Sequence, residues 1–466
     1  MKGTSTSRQP STTISDPGGR GLGAKPLSQR MAEEKANKAA RRLKQEYGLL
    51  ERQVLNLLRR ERVDELARTT GFTQRTPKQL PPFAFALCCA LAACAEGRRG
   101  FATVWRLLAA AANIEVARSA VTQRFGKGSA EFLKALFLDA LQRLPAVEHP
   151  ELLGRLADFT AVLADDGSVL RLKPLLAKMF PGTRTNHTKA AAKLHATADL
   201  IHRRIVKVVI TGERESERGV ARQEPIQPGA LYIRDLGYTN YDDFADIIEG
   251  DAHLLMRLKE DANPTVVRVR HGVLRPMQST WMKLNDVEFT KSRDTFDLDA
   301  EFKTKQHGSI VLRVVGEYNQ ETGKYHCYVT TLRAEAFTVE ELSSLYALRW
   351  VIELLFKFLK SYCHLDHLET SDPDAVRTHI YASLLAATVM YAVAVAAAQS
   401  AGIHPSQISI LTIGIAAPML TIPLLLLWLR PKLSYAELAA MVLRTVAVGC
   451  RGQNPRRTRA QWGALT

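Results

Sequence analysis

The sequence predicts an α/β fold: a mixed sheet flanked by helices, interrupted by a mostly β insertion, with a helical region at each end. Three observations predict it. Between residues 160 and 260, short β-patterned runs alternate with helical ones. Between 263 and 339, period-two alternation dominates, and before 145 and after 340 apolar residues recur at helical spacing. The chain then divides into a disordered tail (1–30), a helical N-terminal region (31–155), a first part of the sheet domain (156–262), a β-rich insertion (263–339), a second part of the sheet domain (340–400), and a helical C-terminal region with a basic tail (401–466).

Residues 1–30 are rich in Ser, Thr, Gly and Pro and can bury little. From Met31 to about Leu66 helix formers dominate, and Gly71, Pro77, Pro81 and Pro82 end that unit. No clean helix-turn-helix is visible, so this part reads as helical and basic: a DNA-binding unit, or a solvated helix packed on its neighbour. Residues 83–145 carry apolar helices. Between them, VARSAVTQRF either offers short donors to phosphate or forms a loop with one helical turn.

Near 160 the period changes. TAVLADDGSVLRL reads as a strand, a tight Asp-Gly turn or bulge, and a second strand. Asp165 and Asp166 point opposite ways if the strand is regular. AKLHATADL and IVKVVIT extend an antiparallel meander. ALYIRD is a further strand ending at Asp235, a place where α/β sheets put functional groups. Asn240 caps the next helix, whose first-turn acids Asp242 and Asp243 answer the helix dipole and need no other role. AHLLMRLKED is the following strand. VVRVRHG, SIVLRVVGEYNQ and KYHCYVTTL then alternate well, with NQETG as a hairpin turn.

The stretch 346–360, YALRWVIELLFKFLK, reads as a single amphipathic helix. Tyr346, Arg349, Glu353, Lys357 and Lys360 are spaced three, four, four and three apart and fall on or near one side. Trp350, Val351, Leu354, Leu355, Phe358 and Leu359 supply a buried apolar face. One reading is a solvated face with i,i+4 ion pairs. The other is a carboxylate that holds a divalent metal while the flanking cations take phosphate oxygens. Beyond it, His364 and His367 flank Asp366 without a third ligand at zinc spacing. Residues 380–399 and 410–429 are long and apolar enough to suggest membrane spans. Pro418 and Pro423 interrupt the second, and both are expected to be buried helices packed across the sheet.

Composition narrows the partners. The 466 residues carry a formal net charge of +16, from 63 basic and 47 acidic side chains, a field that favours polyanions or acidic membranes. The length allows several units and a sizeable core. Six cysteines show no paired metal spacing, and Cys88 and Cys89 sit in an alanine-rich run, which fits a reducing cytoplasm. The start of the chain has no apolar segment of the kind a secretory signal needs.

The spacing Tyr346–Arg349–Glu353–Lys360 resembles the Y-R-E-K signature of bacterial insertion-sequence transposases of the DDE superfamily. The resemblance covers about 160–260 and 340–370 and implies a ribonuclease-H-like catalytic core. It assigns the catalytic and metal-binding roles to Asp166, followed by Gly167 and Ser168, to Asp235, within a block like D-x-G-Y, and to Glu353. Asp165 is the runner-up to Asp166. Oxygen-only ligands suit Mg2+ or Mn2+, as a pair of ions. The resemblance gives Tyr346, Arg349, Lys357, Lys360, Lys193 and His195 to DNA. It makes the N-terminal helices a DNA-binding region and the β insertion a grip on DNA, with Arg268, Arg270, Lys283 and Lys291 facing the backbone. Trp281 is either a stacking aromatic or a core residue. The implied activity is metal-dependent cleavage at transposon ends and strand transfer into target DNA. The implied partner is double-stranded DNA, as inverted-repeat ends and target, bound by a homodimer in the synaptic complex, in the cytoplasm with the nucleoid and with no membrane. The alternatives are a catalytically inactive or regulatory DNA-binding derivative and a related nuclease of the same fold.

Overall fold

The computed structural model describes residues 27–430 apart from 76–78, 96–99, 145–153, 155, 184–188, 203, 222–224 and 291–293, and four isolated positions beyond 430. Lys291, the basic tail after 450 and most of the expected disordered tail lie outside the described residues. Its last four residues, 27–30, belong instead to the first helix.

Helices α1 (Leu27–Gln53), α2 (Arg60–Thr69), α3 (Pro82–Ala92), α4 (Phe101–Ala112), α5 (Arg118–Thr122) and α6 (Lys127–Arg143) form the N-terminal region. Every residue of α3 is buried, as expected of a helix that is apolar on all sides.

Among the described residues the strands form one nine-stranded sheet, ordered β3-β2-β1-β4-β5-β9-β8-β7-β6. β1 (Val162–Arg171), β2 (Ala191–Asp199) and β3 (Arg204–Gly212) are an antiparallel meander. β4 (Leu231–Arg234) lies parallel to β1, and β5 (His253–Arg257) parallel to β4. The short helix α7 (Glu217–Ala221) follows β3, and α8 (Tyr241–Glu249), capped by Asn240, joins β4 to β5. This is a ribonuclease-H-like α/β core.

The expected turn at Asp166-Gly167 is not there. β1 runs unbroken through both, because Asp166 pairs with Ala196 and Gly167 with His195 on β2. A complete ladder satisfies the backbone groups that a turn would have left open.

The insertion comprises β6 (Thr265–His271), α9 (Pro276–Ser279), β7 (Thr295–Lys303), β8 (Ser309–Asn319) and β9 (Lys324–Thr330). It is not a separate sheet. β9 pairs antiparallel with β5, through Leu255↔Thr330 and Met256↔Val329, and extends the core sheet. At the predicted hairpin, the Asn319 side chain accepts from the N–H groups of Glu321 and Thr322 and folds the turn.

Among the described residues the insertion is followed by α10 (Val339–Ala347), α11 (Trp350–Ser361), α12 (Pro373–Ala401) and α13 (Ile410–Leu429). α12 and α13 are both long and apolar enough to cross a membrane; 94% of the most apolar stretch of α12 is buried inside the fold, as expected, but only 50% of that of α13, which leaves Ile415 and Met419 exposed. α13 continues through Pro418 and Pro423 rather than being interrupted by them.

Each face of the sheet has its own core. Val162, Ala164 and Leu170 of β1 join the large helical core with α3, α6, α11 and α12, whereas Leu163 joins a smaller one with α8 and the insertion. Strand alternation assigns Asp166 to the first face and Asp165 to the second.

Candidate active site

The β1–β4 ladder ends at Asp165↔Arg234. Asp166 is the next residue on β1 and Asp235 the first residue past β4, where it keeps an extended backbone with φ −82° and ψ 173°. Ile233 shares the large core with Ala164, so alternation turns Asp235 to the Asp166 face. Two carboxylates therefore stand side by side on neighbouring strands.

The third acid comes from the helices above. The stretch 346–360 is two helices, not one. α10 ends at Ala347 and α11 starts at Trp350, joined by a tightened turn in which Leu348, Arg349, Val351 and Ile352 bond back three residues instead of four. Trp350, expected on the buried face, is 56% exposed, because the tighter turn advances it towards solvent.

Arg349 sits at that joint. Its guanidinium donates to Asp166 Oδ2 at 3.0 Å and to Glu353 Oε1 at 2.5 Å. Its Nε is buried without a hydrogen-bond partner. Tyr346 donates its hydroxyl to Asp235 Oδ1 at 3.2 Å, and its ring lies 5.7 Å from the Arg349 guanidinium. Asp166, Asp235, Glu353, Tyr346 and Arg349 thus meet in one place. Lys360 lies two turns beyond Glu353, about 10 Å along the helix. It is half-buried, and burial, with Arg171 nearby, holds its ammonium below the usual lysine range against the pull of Asp366. Lys357 is exposed.

The Asp166 carboxyl is pushed up to about 6. Burial is the main cause. Arg349 and the Gly167 N–H, which donates to Oδ1 at 2.8 Å, oppose it, while Glu353 and Asp235 add to it. One guanidinium does not balance three carboxylates.

Among the described residues, no group of three acids, histidines or cysteines stands close enough to hold a metal ion as the side chains lie. Arg349 occupies the space between Asp166 and Glu353. The donors nonetheless fit a hard divalent ion: three carboxylates converge on a site that already carries a cationic group in the place where positive charge is needed.

The other expected DNA contacts fall elsewhere. Lys193 and His195 lie on the opposite face of the sheet from Asp166, because β2 pairs Gly167 with His195 and Asp165 with Thr197. Lys193 Nζ is 3.1 Å from Glu217, and His195 Nε2 is 2.9 Å from Thr211 Oγ1. Arg270 is turned inward, forked onto Asp299 at 2.7 and 2.9 Å and bonded to Asp297. Arg268 and Lys283 are exposed, and so is Trp281, in the left-handed region at φ 69°.

Sequence reasoning missed the residues that hold the site from the insertion side. Arg313 is buried, forked onto Asp297, and donates to the backbone carbonyls of Leu332 and Phe337 just before α10. The Tyr328 ring on β9 packs 5.0 Å from Tyr346. The signal lies in the acid alternation of TFDLDAEFK, a strand of the insertion whose inward acids need basic partners.

The strand order, the parallel β1–β4–β5 centre and the acids on β1 and just past β4 define a ribonuclease-H-like protein of the transposase and nuclease class. Residues 157–389 match the family model described as "Transposase DDE domain", and the chain belongs to that family. It is 23% identical over 368 residues, 70% of this chain and 75% of the relative, to "Transposase for insertion sequence element IS231B" of Bacillus thuringiensis subsp. berliner. A second protein of that subspecies, "Transposase for insertion sequence element IS231C", is 23% identical over 364 residues, with the same two shares. "Transposase for insertion sequence element IS231F" of Bacillus thuringiensis subsp. israelensis is 22% identical over 302 residues, 57% of this chain and 63% of the relative.

Proposed function

We propose that the chain cuts DNA at the ends of a mobile element and joins the freed ends to target DNA, with Asp166, Asp235 and Glu353 as its catalytic acids. The observation behind this reading is the meeting of the three carboxylates around Arg349. Their oxygens suit Mg2+ or Mn2+, as a pair of ions that would supply an activated water and a charge sink for the leaving 3′ oxygen.

The remaining work falls to side chains. Tyr346 orients Asp235 through its hydroxyl. Arg349 holds Asp166 and Glu353 in the resting site, and its planar fork and free Nε suit a phosphate once the acids have another cation. Lys360, poorly solvated where it stands, gains from a phosphate partner, and Lys357 adds an exposed charge to the same helix. These placements support membership of the Y-R-E-K subgroup. The +16 charge suits a polyanion, and membership of the transposase family supports double-stranded DNA as that partner. A homodimer that pairs two ends, working in the cytoplasm with the nucleoid, completes the proposal.

Glu353→Gln tests it. The variant should bind DNA carrying the element's end as the unmodified protein does, and should lose Mg2+-dependent cleavage. Cleavage that persists in the variant removes Glu353 from the chemistry. Binding without cleavage by the unmodified protein, in Mg2+ or Mn2+, selects the regulatory derivative instead.

A further inference from the structure

We infer that Glu217, paired with Lys193, is a positioning residue: a wedge on the reverse face of the sheet that sets the spacing of Asp166 and Asp235. This rests on the function proposed above.

The β1–β4 ladder stops one residue short of the two acids, so no backbone pairing spans the gap between them. Glu217 fills the reverse side of that gap. A Cβ on Gly167 would lie 2.6 Å from Glu217 Oε1, and a Cβ on Gly237 would meet Oε2 more closely still. Neither glycine has a positive φ, so neither is needed for an unusual backbone. Their use is the room they leave for one carboxylate. Gly167 directly follows Asp166 and donates its N–H to that side chain, and Gly237 lies two residues after Asp235. Lys193, 3.1 Å from Glu217 Oε1, neutralises the wedge and keeps its charge away from the acids opposite. Tyr238, buried beside Gly237, closes the packing.

Groups hydrogen-bonded to metal ligands typically change metal affinity by about 10- to 100-fold when removed, and Glu217, which meets the glycines beside the ligands, should act at the lower end of that range. The test measures Mn2+ binding to the full chain by electron paramagnetic resonance, and the Mg2+ concentration that gives half-maximal DNA cleavage. Glu217→Ala should weaken Mn2+ binding, and raise the Mg2+ requirement, by about tenfold. Cleavage at saturating Mg2+ should recover most of its rate, a split that general destabilisation would not produce. Glu217→Gln, which keeps the shape of the wedge, should fall between the two. Gly167→Ala should weaken Mn2+ binding by pushing the wedge out, and should add nothing further in the Gly167→Ala/Glu217→Ala pair, where the space is already vacant.

Folded Glu217→Ala and Gly167→Ala proteins with the Mn2+ affinity of the unmodified chain would overturn the inference while leaving the proposed function intact. An unmodified chain that binds no Mn2+ and cuts no DNA would overturn both. If it binds Mn2+ without cutting, the cleavage reading fails and the affinity series still decides the wedge.

Discussion

Asp165 and Asp166 are neighbours on one strand, both partly or fully buried and both bonded to an arginine, and they have different fates. Asp165 has Arg234 to itself, at 2.6 Å, with the Thr197 hydroxyl also donating at 2.6 Å. Asp166 shares Arg349 with Glu353 and stands beside Asp235. On the Asp165 face the charges close, and the pair belongs to the fold. On the Asp166 face carboxylates outnumber the guanidinium between them, and burial lifts the Asp166 carboxyl to about 6. The insertion repeats the first pattern, with Asp297 and Asp299 matched by Arg270 and Arg313. An acid with its own arginine is structural, and a group of acids sharing one is a place for added positive charge.

The sharpest way to break this comparison is to neutralise each aspartate in turn. Asp166→Asn should reduce Mg2+-dependent cleavage by at least about 100-fold, more than the loss of a supporting residue. It should leave metal-free stability at pH 7.5 unchanged or higher, because the charge it removes is one the fold compensates poorly. Asp165→Asn should do the reverse. It strands a buried Arg234 and should cost about 3 kcal/mol in urea denaturation, with cleavage per folded molecule retained. A stable Asp165→Asn protein that does not cut would exchange the two roles.

Acid titration separates the faces next. His195 is buried behind the sheet, and burial, with Lys193 and Lys207, pushes its imidazole down to about 4. The folded protein then binds fewer protons than the unfolded chain, so this contribution is full above about 6.5 and is lost as the pH falls towards 4, by about 3 kcal/mol at most. Asp166 runs the other way. Its folded value, about 6, is above the unfolded one. Its contribution is therefore full below about 4 and is lost as the pH rises through 6, by a similar amount. In metal-free protein, urea midpoints at pH 4.5 and 7 should show His195→Gln more acid-tolerant than the unmodified chain and Asp166→Asn less so.

The smallest effect belongs to Lys357, exposed on α11. Lys357→Ala should change stability by no more than about 0.5 kcal/mol. It should reduce the salt dependence of DNA binding by about one counterion, measured as the slope of log affinity against log salt.

Much of this site was legible in the residues. Alternation turned Asp165 and Asp166 apart, the strand ALYIRD delivered Asp235 to its end, and Asn240 caps α8 as its place before the helix suggests. What the residues hid was set by partners distant in the chain. The unbroken β1 needs β2 beside it, because an Asp-Gly pair also suits a turn. In the sequence Arg270 looks free for DNA, because its partners Asp297 and Asp299 lie 27 and 29 residues away on another strand. Only the β1–β2 register shows that Lys193 and His195 lie on the face opposite Asp166.

Local periodicity and charge, which depend on near neighbours, were enough to determine the α/β plan and a basic chain suited to polyanions or acidic membranes, while the choice of acids came from the resemblance of the Y-R-E-K spacing and the D-x-G-Y block. Which arginine meets which acid was decided on folding, since β-sheet register and the joint between α10 and α11 bring together groups more than 100 residues apart, such as Arg349 and Asp166. Burial at that meeting point, a property of the packed chain and of no single segment, is what raises Asp166 above an ordinary carboxylate.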